Sequence, residues 1–178
     1  MIYTDSYASP LGAITLASDG TALTGLWFDG QKYFGSTLPQ EIARREDIPV
    51  FAETKRWLDT YFSGREPDFT PPLRYDMTPF RKAVCDIMLT IPYGHTMTYG
   101  EIAEQLAARQ GKAHMSAQAV GGAVGHNPIA LIVPCHRVVG TNGSLTGYAG
   151  GIDRKVRLLE LEGADMAGLF VPKSGTAL

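Results

Sequence analysis

The sequence has little cysteine, no long apolar run and almost no net charge, and each shortage excludes a class of protein. Only two cysteines, Cys85 and Cys135, occur in 178 residues, too few for a disulfide framework or a cysteine-rich zinc site. No apolar run approaches the roughly 18 residues that a membrane-spanning helix needs. The first dozen residues lack the basic and apolar regions of a secretory signal. With 16 basic and 18 acidic side chains the formal charge is −2, which excludes a polybasic or charge-disordered chain. What remains is 44% hydrophobic, enough to bury a core in one generous domain or two small ones. A soluble, cytoplasmic globular protein is expected.

The small net charge hides an asymmetry. Residues 1–78 carry 7 basic and 11 acidic side chains, residues 79–178 carry 9 basic and 7 acidic. An acidic partner is met more easily by the second half. The excess falls short of a dedicated nucleic-acid module, so any such affinity must come as much from local geometry and helix N-termini.

The first half reads as strands followed by a helix. Ile2–Tyr7, Ala13–Ala17 and Leu23–Phe28 are strand-like, with turn signals at Ser9-Pro10-Leu11-Gly12 and Asp19-Gly20. From Pro49 to Phe62 the apolar pairs Val50-Phe51, Trp57-Leu58 and Tyr61-Phe62 recur at helical spacing. Thr54 breaks the stripe mildly and Gly64 stops it. Three prolines, Pro67, Pro71 and Pro72, then mark an extended connector and the domain boundary.

The second half is mainly helical. Thr78-Pro79 opens a helix with Phe80, Val84, Ile87 and Met88 on one face, and Ile91-Pro92-Tyr93-Gly94 ends it. Thr98 and Glu101 match a capping box for a second helix. After the loop 109–115, Ser116 caps a third, Ala117–Val124, built almost wholly of small residues. The two short helices outline a helix-turn-helix with a long connector. Gly121-Gly122 inside a helix fits close packing against another helix or close approach to a ligand backbone. Ala130–Val133 and Arg137–Val139 read as short strands, Asn142-Gly143 as a hairpin wing, and Asp153 as the cap of a last helix stopped by Gly163.

Cys135 is the residue with chemistry to explain. Cys85 sits on a helical apolar stretch like an ordinary small core residue. Cys135 instead adjoins His136 and Arg137, and a nearby base or cation turns a thiol into a nucleophile. In an extended segment neighbouring side chains point apart, so either the backbone turns there or a water bridges the pair. Glu162 or Glu160 on the last helix could orient the imidazole.

These residues carry a resemblance. Pro134-Cys135-His136-Arg137-Val138 resembles the active-site motif of the O6-alkylguanine-DNA alkyltransferases. Residues 119–128, Ala-Val-Gly-Gly-Ala-Val-Gly-His-Asn-Pro, are similar to that family's recognition helix and asparagine hinge. Ile91–Gly94 and Thr98–Ala103 resemble its preceding segments, Tyr148–Gly151 its active-site loop and Leu158–Gly163 its terminal helix.

The resemblance implies an α+β fold. A ribonuclease-H-like sheet-plus-helix domain would span 1–77, with the connector at 65–77. A winged helix-turn-helix domain for DNA binding and alkyl transfer would span 78–170, followed by a tail at 171–178. It implies irreversible transfer of the alkyl group from O6-alkylguanine in DNA to Cys135, with O4-alkylthymine as a further candidate substrate. His136 would be the base acting through water, Glu162 (preferred over Glu160) its holder, Tyr99 the proton donor to the departing guanine and Asn127 the hinge brace. Val138 would read the base through its carbonyl, Tyr148, Ala149 and Gly150 would cover it, and Arg137 would tie the motif to the hinge. Ser116, Ala117, Gln118, Ala119, Gly121 and Gly122 would lie in the minor groove of double-stranded DNA while the lesion is flipped out. No cofactor or metal is implied, and a monomer is expected.

Two positions depart from the family pattern. An arginine usually stands where this chain has Gln118, so slower flipping or weaker binding is expected. Ala149 replaces a serine of some relatives, removing one donor. The alternatives are a lesion-recognition protein without transfer, disfavoured because Cys135 is retained, a helix-turn-helix regulator, disfavoured because no further DNA-binding module is attached, and a turnover cysteine hydrolase, disfavoured by the adjacent Cys-His spacing.

Overall fold

A computed structural model describes residues 1–173, so the final part of the expected 171–178 tail lies outside the described residues. The chain divides into two compact units: Met1–Asp76 with Pro128–Ile132, and Met77–Asn127 with Val133–Leu178. The mixed α+β fold is as expected, with sheet in the first unit and helices in the second.

In the first unit β1 (Ile2–Ser9), β2 (Gly12–Ser18), β3 (Leu23–Phe28) and β4 (Ile42–Arg44) form one sheet in the order β3-β2-β1-β4. The first three run antiparallel through tight turns, and β4 joins β1 in parallel. At the first turn between buried strands, Asp19 Oδ1 accepts from the backbone N–H of Thr21 and Ala22, and Gly20 takes φ +100°. Ile14, Leu16, Leu26 and Phe28 are buried at the two-residue period of a half-buried sheet. α1 (Pro49–Phe62) supplies Val50, Phe51, Trp57, Leu58 and Tyr61 to the same core. Thr54 does not break that face: its hydroxyl donates to Val50 O at 2.7 Å, which satisfies it while buried.

The free edge of β3 is covered twice. Leu23 pairs with Leu73 of the proline-rich connector, and Leu26 donates to Pro128 O at 2.8 Å while accepting from Ala130 N at 3.0 Å. Ala130–Val133 is therefore a turn-rich segment hydrogen-bonded to β3 at one point, not the strand its apolar composition suggested. Apolar runs this short do not distinguish strand from buried turn.

In the second unit α2 (Pro79–Met88), α3 (Tyr99–Arg109) and α4 (Ala117–Gly125) pack on one another. Three of the four expected caps are formed: Thr78 accepts from Arg81 N, Thr98 and Glu101 complete the capping box, and Ser116 accepts from Ala119 N. Two details differ from the sequence reading. β6 (Val138–Val139) pairs in parallel with β5 (Met97–Thr98), while the chain after Asn142-Gly143 hydrogen-bonds to Phe170. The turn exists, but its arms do not form a hairpin ladder. α5 (Ile152–Leu161) starts from Gly151 at φ +94°, and Asp153 falls inside its first turn, where its charge complements the helix dipole.

Candidate functional site

All the residues singled out from the sequence belong to the second unit. The backbone does turn at the motif: Cys135–Arg137 is a single 3-10 turn, closed by Arg137 N donating to Pro134 O. Cys135 is 6% exposed and His136 fully buried. Glu162, at the C-cap of α5, accepts from His136 Nε2 at 2.5 Å, whereas Glu160 points to solvent.

Arg137 joins the same carboxylate. Its Nε donates to Glu162 Oε1 at 2.8 Å and its Nη2 to Oε2 at 3.2 Å, and its Nη1 donates to Ile91 O at 2.7 Å. Arg137 thus anchors the motif to the C-cap of α5 and to the turn after α2, not to the Asn127 hinge as expected. Asn127 itself donates its Nδ2 to Val133 O at 2.8 Å.

Burial would raise the Glu162 carboxyl, but the hydrogen bonds and charges of His136 and Arg137 overcome it and hold the group far below the usual carboxylate range. Burial lowers the His136 imidazole below its ordinary value against the pull of Glu162, so the ring is a neutral base. With Nε2 donating to the carboxylate, the lone pair is on Nδ1. Burial also raises the Cys135 thiol, opposed by a hydrogen bond from Asn127 and the charge of Lys155. The resting sulfur is therefore a thiol that must lose its proton to react.

Tyr99, at the first position of α3, donates its hydroxyl to Thr146 O at 3.2 Å. Burial, with Cys135 nearby, pushes it up to about 12. Its ring lies 4.0 Å from where a Cβ on Gly121 would stand, and its hydroxyl 2.9 Å from where one on Gly147 would stand. Tyr148 is buried, its hydroxyl has no hydrogen-bond partner among the described residues, and burial beside Cys135 drives it well above the ordinary phenol value. A Cβ on Gly150 would stand 2.6 Å from the Tyr148 ring, so that loop position needs glycine. Ala149 lies between them. On α4, Val120 points into the core, while Ser116, Ala117, Gln118, Ala119 and Gly122 are exposed. Nothing stands within 4 Å of a Cβ placed on Gly122, so of the glycine pair only Gly121 makes a packing contact and Gly122 lies open. Cys85 contacts Met77 Sδ at 3.9 Å and burial pushes its thiol up to about 12, the inert core role read from its setting.

Lys155 is the functional candidate that sequence reasoning missed. Fully buried on α5, its Nζ donates to Val138 O at 2.6 Å and Thr146 O at 3.0 Å, and burial pushes it down to about 8. Lys155, Leu158, Leu159 and Glu162 share one helical face, so a charge at each end of an apolar stripe was the available signal. Among the described residues no group of three or more His, Cys, Asp or Glu is placed to hold a metal ion.

A cysteine and a carboxylate-held histidine in one turn, behind a helix-turn-helix, match a known pair of domains. Residues 79–164 match the 6-O-methylguanine DNA methyltransferase DNA binding domain, and residues 2–75 its ribonuclease-like domain. The chain belongs to the O6-methylguanine DNA methyltransferase family. Relatives named methylated-DNA–protein-cysteine methyltransferase include one from Mycobacterium leprae, 45% identical over 91% of this chain and 93% of its own. Another, from Methanosarcina acetivorans, is 42% identical over 92% of this chain and 99% of its own. The crystal structure of Mycobacterium tuberculosis OGT in complex with DNA superposes with a TM-score of 0.79 at 44% identity, covering 90% of this chain and 92% of that one.

Proposed function

We propose that this chain repairs DNA by moving the alkyl group of O6-alkylguanine onto the Cys135 sulfur, once per molecule. The observation that carries the reading is buried His136, in the same turn as the thiol and held by Glu162 of α5 across 2.5 Å. Family membership supports it independently.

His136 Nδ1 takes the thiol proton through a water molecule, and Glu162 and Arg137 hold the ring in place for it. The sulfur attacks the alkyl carbon in line with the C–O6 bond. The S–C bond forms as that bond breaks, and its electron pair leaves with guanine. Tyr99 gives its proton to the leaving base and is reprotonated from His136 through solvent. Because its hydroxyl is engaged by Thr146 O, base entry exchanges one acceptor for another. The Val138 carbonyl has a second lone pair beside the one given to Lys155, which serves the guanine amine. Tyr148, Ala149 and Gly150 cover the base.

The target atom is inside a duplex, so the nucleotide is flipped out at a cost of roughly a few kcal/mol. The small exposed residues Ala117, Ala119 and Gly122 of α4 allow the helix to enter the minor groove, with Gln118 in the gap. The protein acts as a monomer, in the cytoplasm, where thiols stay reduced. The thioether has no base to expel it, so the thiol is not regenerated.

Intact-protein mass spectrometry after mixing with a duplex bearing one O6-methylguanine tests this. One added methyl per chain, absent in Cys135→Ala, is expected. Tight lesion binding without mass gain would place the chain among non-transferring recognition proteins.

A further inference from the structure

The connector between α3 and α4 is longer than a helix-turn-helix needs, and its cations have nothing to do inside the protein. Arg109 ends α3, Lys112 follows in the connector, and both are exposed. Neither side chain has a hydrogen-bond or ionic partner among the described residues. Four cations elsewhere are tied to carboxylates, Arg45 to Asp47, Lys55 to Asp5, Arg74 to Asp19 and Arg137 to Glu162.

The reason lies in the sequence around them. Although 18 of the 178 residues are acidic, none occurs between Glu104 and Asp153. That stretch holds the connector, α4, the Cys135 motif and the Tyr148 loop. The first turn of α4, capped by Ser116, also lacks an acidic residue. A stretch with two unpaired exposed cations and no carboxylate of its own fits a polyanion with regularly spaced charges.

We propose that the connector is a contact to the DNA backbone, in which Arg109 and Lys112 each neutralise one phosphate beside the groove entered by α4. This rests on the DNA-repair reading above and adds the residues that carry its electrostatic part. It also gives the Gln118 departure a counterpart. Gln118 can hydrogen-bond in the stack but releases no counterion, whereas Arg109 and Lys112 supply binding that is independent of sequence and lesion.

The test is salt dependence. Binding to an unmodified duplex is measured by fluorescence anisotropy at several salt concentrations for wild type, Arg109→Ala/Lys112→Ala and Lys112→Arg. Each lost phosphate contact lowers the slope of log affinity against log salt by about 0.9, so the double variant should be shallower by about 1.8. Between about 50 and 200 mM salt it should then lose roughly tenfold less affinity than wild type. Lys112→Arg keeps the charge and should keep the slope. Both side chains are exposed and unbonded, and an unchanged melting temperature checks that folding is intact. A double variant with the wild-type slope overturns the proposal, and if that wild type still takes up a methyl from the lesion duplex, the repair reading stands without it. A wild type that neither binds duplex nor takes up methyl overturns both.

Discussion

Lys155 donates its buried ammonium to the Val138 carbonyl across 2.6 Å, and the same nitrogen reaches Thr146 O at 3.0 Å. One cation therefore joins the reactive motif to the loop beside it. Its shift from 10.5 to about 8 corresponds to about 3 kcal/mol spent on holding the charge at neutral pH. That cost is repaid at the thiol, which the same charge makes more acidic.

Lys155→Met should separate the two effects. Losing the buried charge recovers about 3 kcal/mol, while two carbonyls deprived of their donor cost about 1–3 kcal/mol each, so the melting temperature should move little. Alkyl transfer should slow by about tenfold or more, because each 1.4 kcal/mol of lost thiolate stabilisation is a factor of ten. The pH at which Cys135 becomes reactive toward iodoacetamide should rise. An unmoved pH profile would make Lys155 a structural residue only.

Glu162→Gln removes the negative charge, and one of the two acceptor oxygens, shared by His136 and Arg137. Arg137 is then a buried charge without its partner, a loss of about 3–5 kcal/mol that thermal unfolding should register. The folded carboxyl is held below its unfolded value of 4.5. Its contribution is therefore complete above that value and is lost as pH falls through and below it. His136, depressed by burial from 6.5, adds a loss that begins as pH falls below 6.5. The wild-type melting temperature should decline in both ranges, and the variant should lack the lower component.

Gly147→Ala should act through Tyr99. The new methyl would stand 2.9 Å from the phenol oxygen at a position with φ +79°. Gly168→Ala, at φ +80° with nothing within 4 Å of its Cβ, carries the backbone strain alone. Both variants should lose about 1–2 kcal/mol of stability, but only Gly147→Ala should slow transfer, by about tenfold for a displaced proton donor. In a Tyr99→Phe background the two should slow transfer equally.

Gln118→Arg should raise the transfer rate on duplex DNA. The exposed first turn of α4 has room for the longer side chain, which would fill the gap left by the flipped nucleotide. No gain in single-turnover rate at saturating protein would overturn the expectation that Gln118 slows flipping.

The features legible in the sequence were those written locally. Thr78, Thr98 and Ser116 each bond an amide three residues on, a relation that residue type and spacing specify. The placing of His136 against Glu162, and of both in the unit that holds Cys135, followed from a resemblance of ordered motifs and not from spacing alone. What stayed hidden depends on partners far along the chain. Met97 pairs with Val138 and Ser144 with Phe170, so the wing could not be drawn from the Asn142-Gly143 turn. Arg137 finds Ile91 O and Glu162, and Lys155 finds two carbonyls, none of them visible from neighbouring residues. The solvent-side charge expected of a helical lysine hid the one that was buried.

The return of Pro128–Ile132 to the first unit sets an order on synthesis. A growing chain that has released residues 1–76 has all four strands and α1, yet β3 has one backbone edge only partly paired until Pro128 and Ala130 emerge. The N-terminal unit therefore completes this sheet edge late, whereas leading domains usually fold from their own residues first. It must wait, with Leu26 still short of its two hydrogen bonds, while more than fifty further residues leave the ribosome. Maturation of the sheet is thereby tied to the arrival of the segment that directly precedes the nucleophile.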